Sequence, residues 1–425
     1  MALATLGLFI AGLIICLSLG LPLIAALVFG YVLFFLYGLR YGFSVKKILT
    51  LTAGGIWSVH KVLMVFFLIG MLTASWRASG TIPYIVSAAG GLMKPEIFPL
   101  AAFLLNSGLS LLIGTSFGTV ATMGAICMSI GNMMGVNPMI TGGAILGGLY
   151  VGDRCSPLST SALVVAAITK TEFYDNLRRM FRTALLPFGI SCLIYIGLGL
   201  FAGARGAGAD TAAIFEKSYV LTPLLILPAA AVIIMPLLKI DVKITMSTSL
   251  ILALILYVFV QHMSISTIPD LLISGYRAGD PALSHMMNGG GMISMIMPAF
   301  TVGISCSYSE ILQQTDLLQK VKFLISGALM KGGRRFTFIT VAAVSAMVTC
   351  NQTLSSILTQ QLCDEIVTDK ETMMIAIENT TIVMAALIPW SIACSVPLST
   401  LEAPMASIFF ACYLYLQPLL GWKLK

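Results

Sequence analysis

No charged residue stands between Glu96 and Asp153. A bilayer-crossing helix needs about 20 apolar residues, so this run is long enough for more than one crossing, and a water-soluble fold could not hide it. Further charge-free stretches recur at Ala2 to Leu39, Thr183 to Ala204, Ser218 to Leu238, Ile244 to Pro269, Phe336 to Cys363 and Asn379 to Leu401. Dividing them by the crossing length predicts an all-α polytopic membrane protein of roughly ten to twelve segments, several of them discontinuous. With 58% hydrophobic and only 10% charged residues, a large soluble domain is excluded. The first stretch lacks a basic leader and a small-residue cleavage site, so it reads as one or two retained helices.

The net charge of +7 is informative by location. Basic residues cluster at Lys46-Lys47, at Lys170 with Arg178, Arg179 and Arg182, at Lys239 with Lys243, and at Lys320 to Arg335, and counting crossings from Thr183 onward returns the chain to one side at Arg182, Lys239 to Lys243 and Lys320. The positive-inside rule makes that side cytoplasmic, and it makes nucleic acid an unneeded partner for the basic charge; the lipid bilayer is the expected one. Nine cysteines are scattered singly, without the spacing of a disulfide framework or a zinc site.

The same order of features occurs twice, as in the internal repeats of secondary transporters. A hydroxyl-rich segment, Gly114 to Thr119, precedes an acid beside a helix breaker, Asp153 with Pro157. In the second half, Thr349 to Ser356 precedes Glu378-Asn379-Thr380-Thr381 with Pro389-Trp390. The expected division is residues 1–205 and 243–425 as two transporter repeats, with 206–242 as a connecting region that includes a membrane helix. Gly142-Gly143, Gly147-Gly148, Gly289-Gly290-Gly291 and Pro298 lie inside apolar runs and suit close helix packing or breaks.

An ionisable side chain at membrane depth is costly and marks an ion or substrate path, which makes Asp153 the leading functional candidate. Ser156, Ser159 and Thr160, with Ser161 beside them, offer hydroxyl oxygens to a hard cation such as Na+ held by the Asp153 carboxylate. The same carboxylate can take a proton instead, because desolvation disfavours its charged form. Its structural alternative is an interfacial ion pair with Arg154. Glu378 and Asn379 form the second-half counterpart, with Thr380 and Thr381; the alternative there is a helix end near the surface, since Lys370 and Glu371 are two turns away. Thr115, Ser116 and Thr119, and Asn351, Gln352, Thr353 and Ser355, supply neutral oxygens and amides, although membrane Ser and Thr commonly bond their own backbone.

Gly114-Thr115-Ser116-Phe117-Gly118 matches the G-x-S-x-G elbow of serine hydrolases, but none of His60, His262 and His285 stands in a partner motif and no strand precedes Ser116. Intramembrane hydrolysis is therefore a remote alternative, and a non-transporting scaffold another. His60-Lys61 and Trp76-Arg77 flank an apolar run and read as interfacial anchors.

Three stretches resemble the NhaC-type sodium/proton antiporters of the ion-transporter superfamily. Ile69 to Pro83 resembles the family's IGxLIGTWxASGTIP segment, Gly152 to Ser159 its GDKMSPLSDTT signature, and Leu387 to Ser391 its LIPWN. The resemblance spans nearly the whole chain. It implies a secondary transporter centred on Asp153, with Na+ and H+ as transported ions and no cofactor. Two departures stand out: the acid after the SPLS run is Thr160 here, and the late LED-type acid pair is Ile377-Glu378-Asn379. The family also looks able to exchange organic acids such as malate against lactate, which would let Arg154 meet a substrate carboxylate.

The expected protein is a Na+/H+ antiporter of a prokaryotic inner membrane working by alternating access, without enzymatic activity and with no P-loop for ATP. Asp153, Ser156, Ser159, Thr160, Glu378 and Asn379 are its expected ion and proton ligands. Thr115, Ser116, Thr119, Arg154, Asn351, Thr353, Thr380 and Thr381 are its expected substrate cavity. The runner-up is a Na+- or H+-coupled carrier of small carboxylates or amino acids. A homodimer is plausible for either.

Overall fold

The computed structural model describes residues 2–19, 23–58, 60–90, 94–201, 215, 217–238, 240–279, 284, 287–315, 333–364 and 366–421. Among the described residues the fold is all helical, with one isolated bridge between Tyr276 and Gly289. Three helices are long and apolar enough to cross a bilayer alone: Ile24–Tyr41, Phe173–Phe201 and Gly291–Leu312. The helix Phe173–Phe201 presents Leu185, Leu186, Leu193, Leu200 and Phe201 outward, an apolar outer surface that suits lipid. It also begins earlier than its charge pattern suggests. Arg178, Arg179 and Arg182 ride on its first turns, not in a loop.

The elements that build the interior are broken helices, in two matched kinds. Helix Phe98–Ile113 stops at Gly114, whose left-handed φ of 78° suits a residue without Cβ. Thr115 is extended at φ −137°, ψ 133°, and its hydroxyl accepts the Gly118 N–H at 3.1 Å, which starts the next helix at Ser116. That helix passes through a π turn, Val120–Gly124, and returns to Met133, where Gly131 packs on Phe98. Residues 98–133 thus form a hairpin whose two ends lie together.

Residues 334–363 repeat this construction. Helix Arg334–Thr349 stops at Cys350, φ 55°; Asn351 is extended at φ −136°, ψ 130°; and helix Gln352–Cys363 packs back along the first. Here the Asn351 side chain caps the new helix by accepting from Thr353 N (3.0 Å) and Leu354 N (3.3 Å).

The other kind is the interrupted crossing. Helix Pro138–Cys155 gives way to Ser156-Pro157-Leu158-Ser159 before helix Thr160–Thr169. In the second half, Lys370–Asn379 continues irregularly to Leu387, and Ile392–Thr400 follows at an angle of 53°. Gly152 explains how close the first hairpin comes: a Cβ there would lie 2.0 Å from the Ser110 backbone carbon, and Ser110 Oγ donates to the Leu149 carbonyl.

Lys170 and Lys370 line one groove with Gln360 and Asp364, and Arg179 pairs with Glu371 at 2.5 Å, so one end of the molecule is basic. The 334–363 hairpin has its Cys363 end there. At the opposite end, Gly199 packs against the Glu96 carbonyl, where the 98–133 hairpin begins. The two hairpins therefore enter from opposite ends, and their tips meet in the interior.

Trp76 is not an interfacial anchor. It is buried at 2% exposure and its indole N–H donates to Ser249 Oγ at 3.0 Å, because the small residues around it let helix Val242–Phe259 pack close to helix His60–Ser79. Residues 202–205 of the expected first repeat, residues 206–214, 216 and 239 of the expected connecting region, Lys61's side chain and His285 lie outside the described residues.

Candidate functional site

Asp153 sits where the two hairpin tips meet. It is the third residue from the end of its helix and 3% exposed. One carboxylate oxygen, Oδ1, accepts the Ser116 N–H at 3.3 Å. The other, Oδ2, accepts from Gln352 Nε2 at 2.9 Å and from Ser161 Oγ at 3.2 Å. Ser116 and Gln352 are the first residues of the helices that leave the two tips. Ser116 thus presents the N-terminus of its helix, the positive end of the macrodipole, to the carboxylate, while Gln352 reaches it with its side chain from the start of the other helix.

A cavity of about 220 Å³ opens beside Asp153, lined by Thr115, Ser116, Phe117, Thr160, Ser161, Asn351, Gln352, Thr353, Ile392 and Ala393. Thr160 and Thr353 are exposed, and each begins a helix that runs to the basic end. One carboxylate among hydroxyl and amide oxygens is a ligand set for a hard, weakly held monovalent cation. Side-chain amides and hydroxyls can turn either a donor or an oxygen toward it, so the same groups can accommodate a bare carboxylate or a bound cation.

The sequence-expected residues divide on this geometry. Asp153, Thr160, Thr115, Ser116, Asn351 and Thr353 come together around the cavity. Ser156 and Ser159 are not in its lining; they hold the helix break. Ser156 Oγ accepts the Leu158 N–H at 3.1 Å, and Ser159 Oγ accepts the Ala162 N–H at 3.0 Å while donating to the Asp153 carbonyl. Thr119 donates to its own helix at the Thr115 carbonyl, 2.9 Å away, and Thr380 to the Ala376 carbonyl at 2.6 Å. The Thr381 hydroxyl is buried without a hydrogen bond among the described residues.

Arg154 points away from its neighbour. No ion pair joins it to Asp153. Its guanidinium, fully buried, donates to Tyr413 Oη (2.9 Å), Thr183 Oγ1 (2.8 Å), the Met180 carbonyl (3.3 Å) and Asn379 Oδ1. It ties four elements together and stays outside the cavity, so neither the ion-pair cap nor contact with a substrate carboxylate describes it in this state. Asn379 is taken up by the same cluster, and also accepts from Thr183 Oγ1 at 3.2 Å. Glu378 is fully buried, and neither carboxyl oxygen has a hydrogen-bond partner among the described residues.

Gln352 and Ser161, named above only among the neighbouring amides and hydroxyls, are the direct side-chain partners of Asp153. The only signal was their place at the start of a helix after a break. Ser116 offers a backbone N–H, and no described histidine hydrogen-bonds to it, so the elbow-like motif builds a helix tip instead of a nucleophile.

The sequence pattern of the family described as the Na+/H+ antiporter family matches residues 1–169 and 148–421. The chain belongs to that family. It is a multi-pass membrane protein and a secondary active antiporter, not an enzyme. It is 24% identical over 384 residues to the malate-2H(+)/Na(+)-lactate antiporter of Bacillus subtilis, covering 88% of this chain and 82% of that protein. It is 24% identical over 370 residues to the Na(+)/H(+) antiporter NhaC of Alkalihalophilus pseudofirmus, covering 84% and 80%. The arginine/ornithine antiporter ArcD of Halobacterium salinarum is 26% identical over 384 residues, covering 85% and 79%.

Proposed function

We propose that the protein exchanges Na+ for H+ across the cytoplasmic membrane of a prokaryote, with Asp153 holding the cation or the proton in turn. The observation that carries this reading is the convergence of one helix-terminal N–H and two side-chain donors on one buried carboxylate beside a polar cavity. Those donors hold the bare carboxylate while it waits, and a Na+ entering from the cavity replaces them with oxygens from Ser161, Gln352, Asn351 and the threonines. Protonation removes the charge that attracts the cation, so the two ligands compete for one site. We infer that the basic end is cytoplasmic by the positive-inside rule and that the cavity opens to that side.

The matched backbone of the 98–133 and 334–363 hairpins, entering from opposite ends, supports two inverted repeats, 1–205 and 243–425, related by an axis in the membrane plane. Alternating access then consists of opening the Asp153 cavity toward one end and closing it at the other. A homodimer is the assembly we expect of such a carrier.

The second reading, exchange of small carboxylates or amino acids, draws on the malate/lactate and arginine/ornithine relatives. The test is the purified protein in sealed liposomes with an internal pH dye, given pulses of Na+, Li+, K+, malate, lactate or arginine. A pH change that follows Na+ supports the proposal. A response to an organic solute with none to Na+ alone overturns it in favour of the second reading.

A further inference from the structure

At the end away from the basic face lies a charged cluster that makes no contact with the Asp153 carboxylate. Arg77, near the end of helix His60–Ser79, pairs with Glu402 at 3.1 Å, with side-chain exposures of 15% and 39%. Arg77 Nη1 also donates to the Asn288 carbonyl at 2.6 Å, and the Gly290 N–H reaches Glu402 Oε1 at 3.4 Å. The ion pair thus encloses the loop that opens helix Gly291–Ser294. Gly289, Gly290 and Gly291 all have positive φ, and a Cβ on Gly289 would lie 2.2 Å from Arg77 Nη1. The triple glycine lets the loop lie flush under the guanidinium. Glu402 itself has φ 52°, a left-handed conformation that non-glycine residues rarely adopt, so its carboxylate is held in a particular direction.

The cluster is joined to the site by one short helix. Ile392 and Ala393 line the cavity, and Glu402 follows the other end of helix Ile392–Thr400, nine residues or about 13 Å away. The Tyr150 hydroxyl fixes the cavity end of that helix by donating to the Ala393 carbonyl at 2.6 Å. The geometry points to Arg77, Glu402 and the 288–291 loop as an ion-pair latch. It holds the outer end shut while the Asp153 cavity is open to the basic end, and it must release for that cavity to open outward. This inference rests on the alternating-access reading. The ion pair at the basic end, Arg179 with Glu371, is more exposed, at 43% and 54%, and serves as the control.

The test places a reporter, Thr353→Cys, in the cavity and applies a membrane-impermeant thiol reagent from the Glu402 face of oriented vesicles. Labelling of the same chain without the reporter is subtracted. Arg77→Gln and Glu402→Gln should each raise labelling from that face about fivefold, the size of effect expected from losing one partly exposed ion pair. Arg77→Lys and the double reversal Arg77→Glu/Glu402→Arg should fall back toward the parent, and Arg179→Gln should not differ from it. Unchanged labelling in both neutralised variants, or a double reversal no closer to the parent than the single changes, overturns the latch. Failure of the exchange reading would appear separately, as a parent protein silent to every solute in the liposome assay.

Discussion

Asp153 and Glu378 invite comparison because they hold corresponding places in the two halves. Each lies in the last turn of a helix that ends inside the molecule, and each is buried. Their surroundings differ. Asp153 receives a backbone N–H, an amide and a hydroxyl and faces a cavity, whereas Glu378 receives no hydrogen bond from the described residues and lines no part of that cavity. What separates them is the hairpin tips: both converge on Asp153, one with a backbone N–H and the other with the Gln352 side chain. Burial alone does not make an ion site. Donors and oxygens at the same point do.

The charged groups that act on Glu378 are Arg154 and Asp153. Arg154, although it follows Asp153 directly, belongs to the Glu378 side of the structure through Asn379. Arg154→Leu should therefore produce the largest loss of stability, on the order of 3–5 kcal/mol, since it removes the centre of a buried network and leaves Asn379 and Tyr413 short of partners. Thermal unfolding in detergent with Arg154→Lys alongside measures it; a small effect would show that the cluster is incidental and weaken the contrast.

On the Asp153 side, Gln352→Leu deletes the 2.9 Å donor and a candidate cation ligand. The half-saturating Na+ concentration should rise severalfold, because the amide oxygen lost with Gln352 is one of the few neutral ligands beside the carboxylate. A smaller change is expected at Ser116, and it separates backbone from side chain. Ser116→Pro deletes the N–H together with the hydroxyl, at a first helical position that proline tolerates and after an extended residue that suits it, and should change Na+ handling a few-fold through the bare carboxylate. Ser116→Ala keeps the N–H and should behave as the parent. The reverse order would make the hydroxyl, not the helix tip, the group that matters.

The smallest effect concerns a carboxylate outside the bilayer. Asp369 caps the helix that carries Glu378. The Thr372 hydroxyl and N–H, at 2.5 and 2.8 Å, hold its carboxyl below the usual carboxylate range. Its contribution is therefore complete above the ordinary carboxylate pKa and fades as pH falls through the lowered value. Asp369→Ala should cost up to about 1 kcal/mol near neutral pH, the typical loss for a cap, with the difference from the parent vanishing in acid. A constant difference across pH would mean that the charge is not involved.

Much of this was legible in the chain. Apolar length gave the membrane class, and Gly114-Thr115 and Cys350-Asn351 could be found as polar interruptions in apolar runs. Asp153 stood out by the cost of its charge at depth. The direction of Arg154 was not legible, because successive residues on a helix point about 100° apart and only the packing of helices 173–201 and 412–420 decides which neighbour receives it. Ser156 and Ser159 were read as ligands because hydroxyls near an acid suit a cation. The helix break needed those hydroxyls for its own backbone first. Gln352 was hidden for the opposite reason: it lies almost 200 residues from Asp153, and only the meeting of two hairpins brings it within 2.9 Å. Arg77 read as an anchor because its partner, Glu402, is equally remote.

The central claim is that Asp153, and not the acid opposite it, is the group over which cation and proton compete. The direct measurement is Na+-driven pH change in liposomes for the parent, Asp153→Asn and Glu378→Gln, each shown to be folded and inserted. The account predicts that Asp153→Asn abolishes the response while Glu378→Gln retains a measurable, Na+-saturable one. A Glu378→Gln protein as silent as Asp153→Asn, or an Asp153→Asn protein that still exchanges, would contradict it.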